Sequence, residues 1–150
     1  MIKLVLDTNV LLRGFVSARN GERKILNLAL SGRVAIYGSN ESFSEYKEKI
    51  RIDRIMNFYP NKHLSVERME NLYTSVISLV PTNTINLGGQ ISVDPDDDEF
   101  IKIAIASRSN IVLSHDKHLL KLKTYDNIRF IKPDKFIEVY TKARGGVLYL

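Results

Sequence analysis

The sequence predicts one α/β domain with a mostly parallel sheet, on three observations. Five short runs rich in Ile, Val and Leu hardly alternate in polarity, as strands do when both faces of a sheet are covered. Helical patterns lie between them, the order that produces parallel strands joined by crossover helices. The chain has 150 residues and no repeat, low-complexity tract or flexible linker, which is the length of one compact domain. A chain of that size buries roughly two thirds of the surface it exposes when unfolded, so it needs no crosslink to hold a core.

The elements follow in order. Ile2–Leu6 is the first strand. Glu22–Leu30 is a helix with Ile25, Leu26, Ala29 and Leu30 on one face, and Gly32 can end it. Val34–Tyr37 is the second strand. The stretch 40–58 reads as one long helix or two short ones, stopped by Pro60. Ser65 can cap a helix that buries Met69, Leu72 and Tyr73. Val76–Val80 is the third strand, although its first residues also continue the helical pattern. Asp98–Ser107 is nearly all apolar after its acidic start, as a buried helix is. Ile111–Leu113 and Ile128–Ile131 are the last two strands, and a helix with Phe136, Ile137 and Tyr140 inward follows Pro133.

Composition excludes several classes. There is no cysteine, so disulfides and thiolate zinc sites are absent and a reducing cytoplasm suits the chain. Met1 to Leu6 lack the length and cleavage site of a signal peptide. No apolar run approaches the ~20 residues of a membrane span, so a cytoplasmic protein with no membrane partner is expected. Lys and Arg number 22 against 17 Asp and Glu, a formal +5 that permits a polyanionic partner without demanding one.

The acids carry the functional signal. Ligands of open α/β sheets bind outside the carboxyl ends of the strands. Asp7 follows the first strand directly, Asp116 follows the fourth, and Asp94-Pro95-Asp96-Asp97-Asp98 leads into the buried helix. Glu45 lies about two turns into the helix after the second strand. All four elements leave the same sheet edge, so Asp7, Glu45, Asp98 and Asp116 can converge. Taken singly, each has an ordinary reading: a turn or helix cap for the aspartates, a macrodipole partner for residues 96–98, a solvated face for Glu45. Convergence would set like charges against one another, and a proton or a cation must then neutralise them. Oxygen ligands without His or Cys suit a hard ion, Mg²⁺ or Mn²⁺, and such ions support phosphodiester chemistry. Between the neighbours Asp97 and Asp98, Asp98 stands in register with Ile101 and Ile105, whereas Asp97 could cap the helix.

These residues resemble the four motifs of PIN domains. Leu6-Asp7-Thr8-Asn9-Val10-Leu11 resembles the first, and Ser39-Asn40-Glu41-Ser42-Phe43-Ser44-Glu45-Tyr46 the second, with Glu45 at its acidic position. Asp94-Pro95-Asp96-Asp97-Asp98-Glu99-Phe100 is similar to the third in a toxin subgroup, and Ser114-His115-Asp116-Lys117-His118-Leu119-Leu120 to the fourth. The match runs in order over residues 1–140 and leaves 141–150 as a tail, of which Gly145–Leu150 has no assigned role. The resemblance implies a three-layer α/β/α fold with a five-stranded parallel sheet. It implies an Mg²⁺- or Mn²⁺-dependent endoribonuclease that hydrolyses RNA, with Asp7, Glu45, Asp98 and Asp116 as catalytic residues and metal ligands. It also implies the toxin of a toxin–antitoxin pair, a small antitoxin partner and a homodimer. One departure is His115, where the fourth motif commonly has Gly. Its side chain could alter access to the metal or contact substrate, with solvent the ordinary alternative. His118 reads as a helix surface residue.

Other motifs carry less. There is no Walker-type phosphate loop. Ser114-His115-Asp116 in a row is not a triad, since triads assemble in space. Lys47, Lys49, Arg51 and Arg54 form a basic stretch interleaved with Glu48 and Asp53, either an RNA contact or a solvated face. On the same segment, Phe43, Tyr46 and Ile50 could dock an antitoxin or pack on the sheet. Two rival functions remain: an Asp-based phosphatase or phosphoacceptor, disfavoured because the usual second Asp is Asn9 here, and a catalytically inactive PIN-like RNA-binding module, disfavoured because all four acidic positions are filled.

Overall fold

The chain builds its sheet from the inside outwards, around a first strand that is almost wholly apolar. The computed structural model describes residues 1–17, 20–52 and 65–143. Strand β1 (Ile2–Leu6) has β2 (Val34–Gly38) on one side and β4 (Ile111–Leu113) on the other, both parallel to it. Beyond β2 lies β3 (Ile77–Leu79), and beyond β4 lies β6 (Ile128–Ile131), again parallel. The two-residue strand β5 (Thr124–Tyr125) closes the far edge antiparallel to β6, giving the order β3-β2-β1-β4-β6-β5 among the described residues.

Alternate residues of β1 enter opposite cores, which is why its sequence hardly alternates in polarity. Leu4 and Leu6 pack on one face with residues of α1 (Thr8–Val16), α2 (Gly21–Leu30), α3 (Asn40–Ile50), α4 (Val66–Val76) and α7 (Pro133–Ala143). Val5 packs on the other with Phe100, Ile101, Ile103 and Ala104 of α5 (Asp98–Ser107) and Leu119 of α6 (Lys117–Leu122). The result is the expected three-layer α/β/α domain. Each fully buried aliphatic side chain contributes roughly 1.5–3 kcal/mol of transfer free energy, so the two clusters hold the strand ends firmly.

The expected strands are present, and the differences lie in short elements. Val76 ends α4 and Ile77 begins β3 with no loop between them, so the third strand is shorter than its apolar run. Helix α1 was not expected: it follows β1 with only Asp7 between them, and its polar face is the short stripe of Asn9 and Arg13. Its Gly14 lets α2 approach: a Cβ there would lie 2.6 Å from Leu26 Cδ1 and 3.2 Å from the Glu22 carbonyl oxygen. The α6 helix and the Pro95–Asp97 3₁₀ turn are too short for a periodic signal. Strand β5 adds a sixth, antiparallel strand to the five parallel ones expected, through a turn in which Asp126 and Asn127 adopt φ of 48° and 65°, as the two central residues of a type I′ hairpin do. Gly32 ends α2 as expected, with φ 76° and the amides of Gly32 and Arg33 bonded to the carbonyls of Ala29 and Leu28.

Of the expected helical stretch 40–58, α3 occupies Asn40–Ile50, and residues 53–64 lie outside the described residues. Tyr46 and Ile50 are fully buried, and Phe43 stacks on Tyr73 with ring centroids 4.6 Å apart. That apolar set therefore packs inward, and the docking surface expected there has no exposed apolar side chain among these three. Helix α7 runs to Ala143, past the domain boundary expected at 140. The tail Gly145–Leu150 lies outside the described residues. Among the described residues no helix is long and apolar enough to cross a membrane.

Candidate active site

The strand order reverses direction at β1, whose neighbours β2 and β4 are reached by connections to opposite sides, so β1 and β4 open a crevice at their carboxyl ends. The Asp7 amide extends the ladder there by donating to the Leu113 carbonyl at 3.0 Å, and the Ser114 amide does the same to Ile131 at 3.1 Å. Both residues are thus held by the sheet itself.

Asp7 is 7% exposed and serves as the N-cap of α1, accepting from the Val10 amide at 3.0 Å. Its other oxygen accepts from the buried hydroxyl of Ser114, which in turn accepts from the Asp116 amide at 2.9 Å. Burial raises the Asp7 pKa, while Ser114, the Val10 amide and the charges of Lys49 and His115 pull it back. Asp116 is the N-cap of α6 and accepts from the His118 amide at 2.8 Å. The capping role and a place at the strand edge are therefore not alternatives; Asp7 and Asp116 have both.

Asp97 and Asp98 divide differently from the expectation. Asp98 is 7% exposed and accepts from the amides of Ile91 and Ser92 at 2.9 and 2.7 Å, and from the Ser92 hydroxyl. Register with Ile101 does bury it, but the buried stripe points to the 91–92 loop. One residue back, about 100° around the helix, Asp97 faces Asp116 and shares a side-chain hydrogen bond with it. Asp97 makes no capping bond, and its Oδ2 is buried with no hydrogen-bond partner. Burial first, then the charges of Asp116 and Asp94, push its pKa up to about 7. The structure thus brings together Asp7, Asp97 and Asp116, and directs Asp98 elsewhere.

Glu45 borders this centre from α3. Its carboxylate accepts from Thr8 Oγ1 at 3.2 Å and pairs with Lys49, whose Nζ also reaches Asn9 Oδ1 at 3.3 Å. An open groove of about 450 Å³ runs from Glu45 along α3 and the 3₁₀ turn, past Glu41, Glu48, Asp96, Glu99 and Lys102. The Glu99 carboxylate is fixed by Ser39 and Thr82 hydroxyls at 2.8 and 2.7 Å.

His115 does not point freely into solvent. Its Nε2 lies 2.5 Å from Glu22 Oε1, a carboxylate buried in the first turn of α2 that also meets Arg13 Nε at 3.4 Å. His118 is exposed on α6. Sequence reasoning missed Ser114, whose place between the strand end and Asp116 was the available signal, and Glu22, for which there was none. The basic stretch on α3 is engaged locally: Lys47 sits 4.6 Å from the Phe43 ring centroid, Lys49 pairs with Glu45, and Arg51 pairs with Glu70. Arg54 lies outside the described residues.

Among the described residues no three His, Cys, Asp or Glu side chains form a ready metal cage. The centre nevertheless fits a hard cation. Its donors are all oxygens, one buried carboxylate oxygen of Asp97 is unanswered, and burial and the neighbouring acids raise the Asp97 pKa, a cost to its charge that a cation would relieve.

Comparison with known proteins agrees with the fold. Residues 3–118 match the PIN domain family, and the chain belongs to it. PIN domains are generally nucleases, hydrolases that typically use divalent metal ions. The chain is also similar to Uncharacterized protein MJ1680 of Methanocaldococcus jannaschii, 26% identical over 151 residues that cover 94% of this chain and 93% of that one.

Proposed function

We propose that this chain is a metal-dependent endoribonuclease, with Asp7, Asp97 and Asp116 holding an Mg²⁺ or Mn²⁺ ion and Glu45 at the rim. The single observation that supports it most is the unpartnered Asp97 Oδ2 beside Asp116. Asp98 is left out of the ligand set because three donors of the 91–92 loop hold its carboxylate and it is not among the acids whose charges act on Asp97. A divalent ion bound here supplies charge neutralisation and Lewis acidity toward a phosphodiester, and an activated water.

The chain's own residues prepare the site. Ser114 and the Val10 amide fix Asp7, so its carboxylate loses little freedom on binding. Asp97, whose pKa burial and the neighbouring acids raise, must ionise to take part. Lys49 and Thr8 hold Glu45 at the rim, where it can orient a ligand's waters. Water, and not the 2′-hydroxyl, is then the nucleophile, and the product carries a 5′-phosphate. Incubation with a mixed RNA pool tests this: cleavage in Mn²⁺, none in excess EDTA, and 5′-phosphate ends. A 2′,3′-cyclic phosphate as first product, or undiminished activity in EDTA, sinks it.

The toxin role, with a small antitoxin, a homodimer and a cytoplasmic site of action, rests on motif resemblance. Growth arrest on expression, relieved by a co-purifying small protein, is the expected result. No growth effect and no partner from the native cell would leave a free-standing ribonuclease.

A further inference from the structure

The edge that carries the acids changes sign along its length. On the β2 side the groove sets Glu41, Glu45, Glu48, Asp96 and Glu99 against Lys102. On the β6 side the sequence from 117 to 132 holds five lysines and arginines and one aspartate, four of the chain's five net positive charges.

Three of those cations lie on elements that leave the same edge of the sheet as the acids. Lys117 opens α6 directly after Asp116, and Lys121 lies one turn further on the same helix face, about 6 Å along the axis. Lys132 follows β6, whose last residue accepts the Ser114 amide, so it leaves the sheet beside the strand end that supplies Ser114 and Asp116. All three are exposed, and among the described residues none has a carboxylate partner. The contrast with α3 is direct: there, Lys47, Lys49 and Arg51 are committed to Phe43, Glu45 and Glu70. Unpaired ammonium groups remain hydrated and available to phosphates, whereas the groove repels them.

We propose that single-stranded RNA crosses the acidic centre on its β6–α6 side, with Lys117, Lys121 and Lys132 holding phosphates flanking the cleaved bond, and that it does not run along the acidic groove. This rests on the nuclease reading above and adds a direction and named contacts to it.

The test is binding of a 5′-fluorescein oligouridylate of roughly a dozen nucleotides, followed by anisotropy in EDTA at several salt concentrations. A Lys117→Gln/Lys121→Gln/Lys132→Gln variant is compared with Lys24→Gln/Arg68→Gln/Lys142→Gln, which removes the same charge from scattered exposed positions on α2, α4 and α7. Each phosphate neutralised on a single strand contributes about 0.7 to the slope of log affinity against log salt, so the first variant should lose about 2 in slope and roughly tenfold or more in affinity. The scattered variant should keep the wild-type slope. Equal losses in the two variants, or no loss in the first, overturn the proposal while leaving metal-dependent cleavage by the wild type intact. Wild-type protein that binds phosphatidylserine vesicles through these lysines and not the RNA overturns it in favour of a membrane surface. A wild type that neither cleaves nor binds RNA removes both readings.

Discussion

Asp97 and Asp98 are neighbours in the chain, yet they occupy opposite electrostatic situations. Asp98 is answered by two backbone amides and a hydroxyl, and its charge stabilises the 91–92 loop against α5. Asp97 is answered by another carboxylate and keeps one buried oxygen without a partner. Glu22 belongs with Asp98, since Arg13 and His115 meet it; Asp7 and Asp116 stand between the two, each accepting a backbone amide while its charge acts on Asp97. The difference separates an acid whose charge the surrounding loop answers from one whose charge the fold leaves opposed. Burial alone does not, because Asp7 and Asp98 are equally buried at 7%.

The largest expected effect lies on activity. Asp97→Asn and Asp116→Asn should fold and lose on the order of 10²–10³ in RNA cleavage, the usual cost of removing one preorganised charge-stabilising group. Asp98→Asn should retain more activity per folded molecule than Asp97→Asn. The reverse order, measured on folded protein, would erase the distinction between the two acids.

Metal binding comes next. Binding to the folded state alone adds about 2.7 kcal/mol at a hundredfold excess over Kd. The melting temperature should therefore rise with Mn²⁺ in the wild type and hardly rise in Asp97→Asn/Asp116→Asn. An equal rise in both would place the ion elsewhere.

Stability should report Asp98. Asp98→Ala leaves the Ile91 and Ser92 amides without their acceptor, at a cost of about 1–3 kcal/mol, or several degrees in melting temperature for a domain of this size. Asp97→Ala without metal removes a repelling charge and should be neutral or stabilising. A larger loss at Asp97 than at Asp98 would contradict their assigned partners.

The smallest effect is on pH dependence. Asp97 has a folded pKa of about 7, raised above its unfolded value of about 3.9, so the metal-free folded state binds the extra proton between these limits. Its contribution to stability is present below about pH 4 and is lost as pH rises through about 7. Metal-free wild type should therefore lose melting temperature across that window relative to Asp97→Asn, while the Mn²⁺-induced shift grows as Asp97 ionises. Identical pH profiles for the two proteins would mean that Asp97 and Asp116 do not interact.

Much of this was legible in one dimension. Unalternating Ile, Val and Leu runs marked the central strands, because two covered faces demand apolar residues at every position. Asp7 and Asp116 stood out because a strand end sets a residue's place to within one position. The contacts of Asp98 with the 91–92 loop were not legible, because periodicity reports which residues are buried and says nothing of what they are buried against. The α1 and α6 helices were missed because both are short, α1 following its strand with only Asp7 between them.

By itself, then, the sequence determined the α/β class, the strand edge where the acids gather and the absence of thiolate chemistry, since all of these follow from local pattern and composition. Only the tertiary structure decided which of two adjacent aspartates meets Asp116, that His115 is tied to Glu22, and that Lys117 and Lys132 reach the same edge from different elements. Those relations depend on where distant segments pack, and on a rotation of about 100° per helical residue that turns one neighbour toward a loop and the other toward the centre.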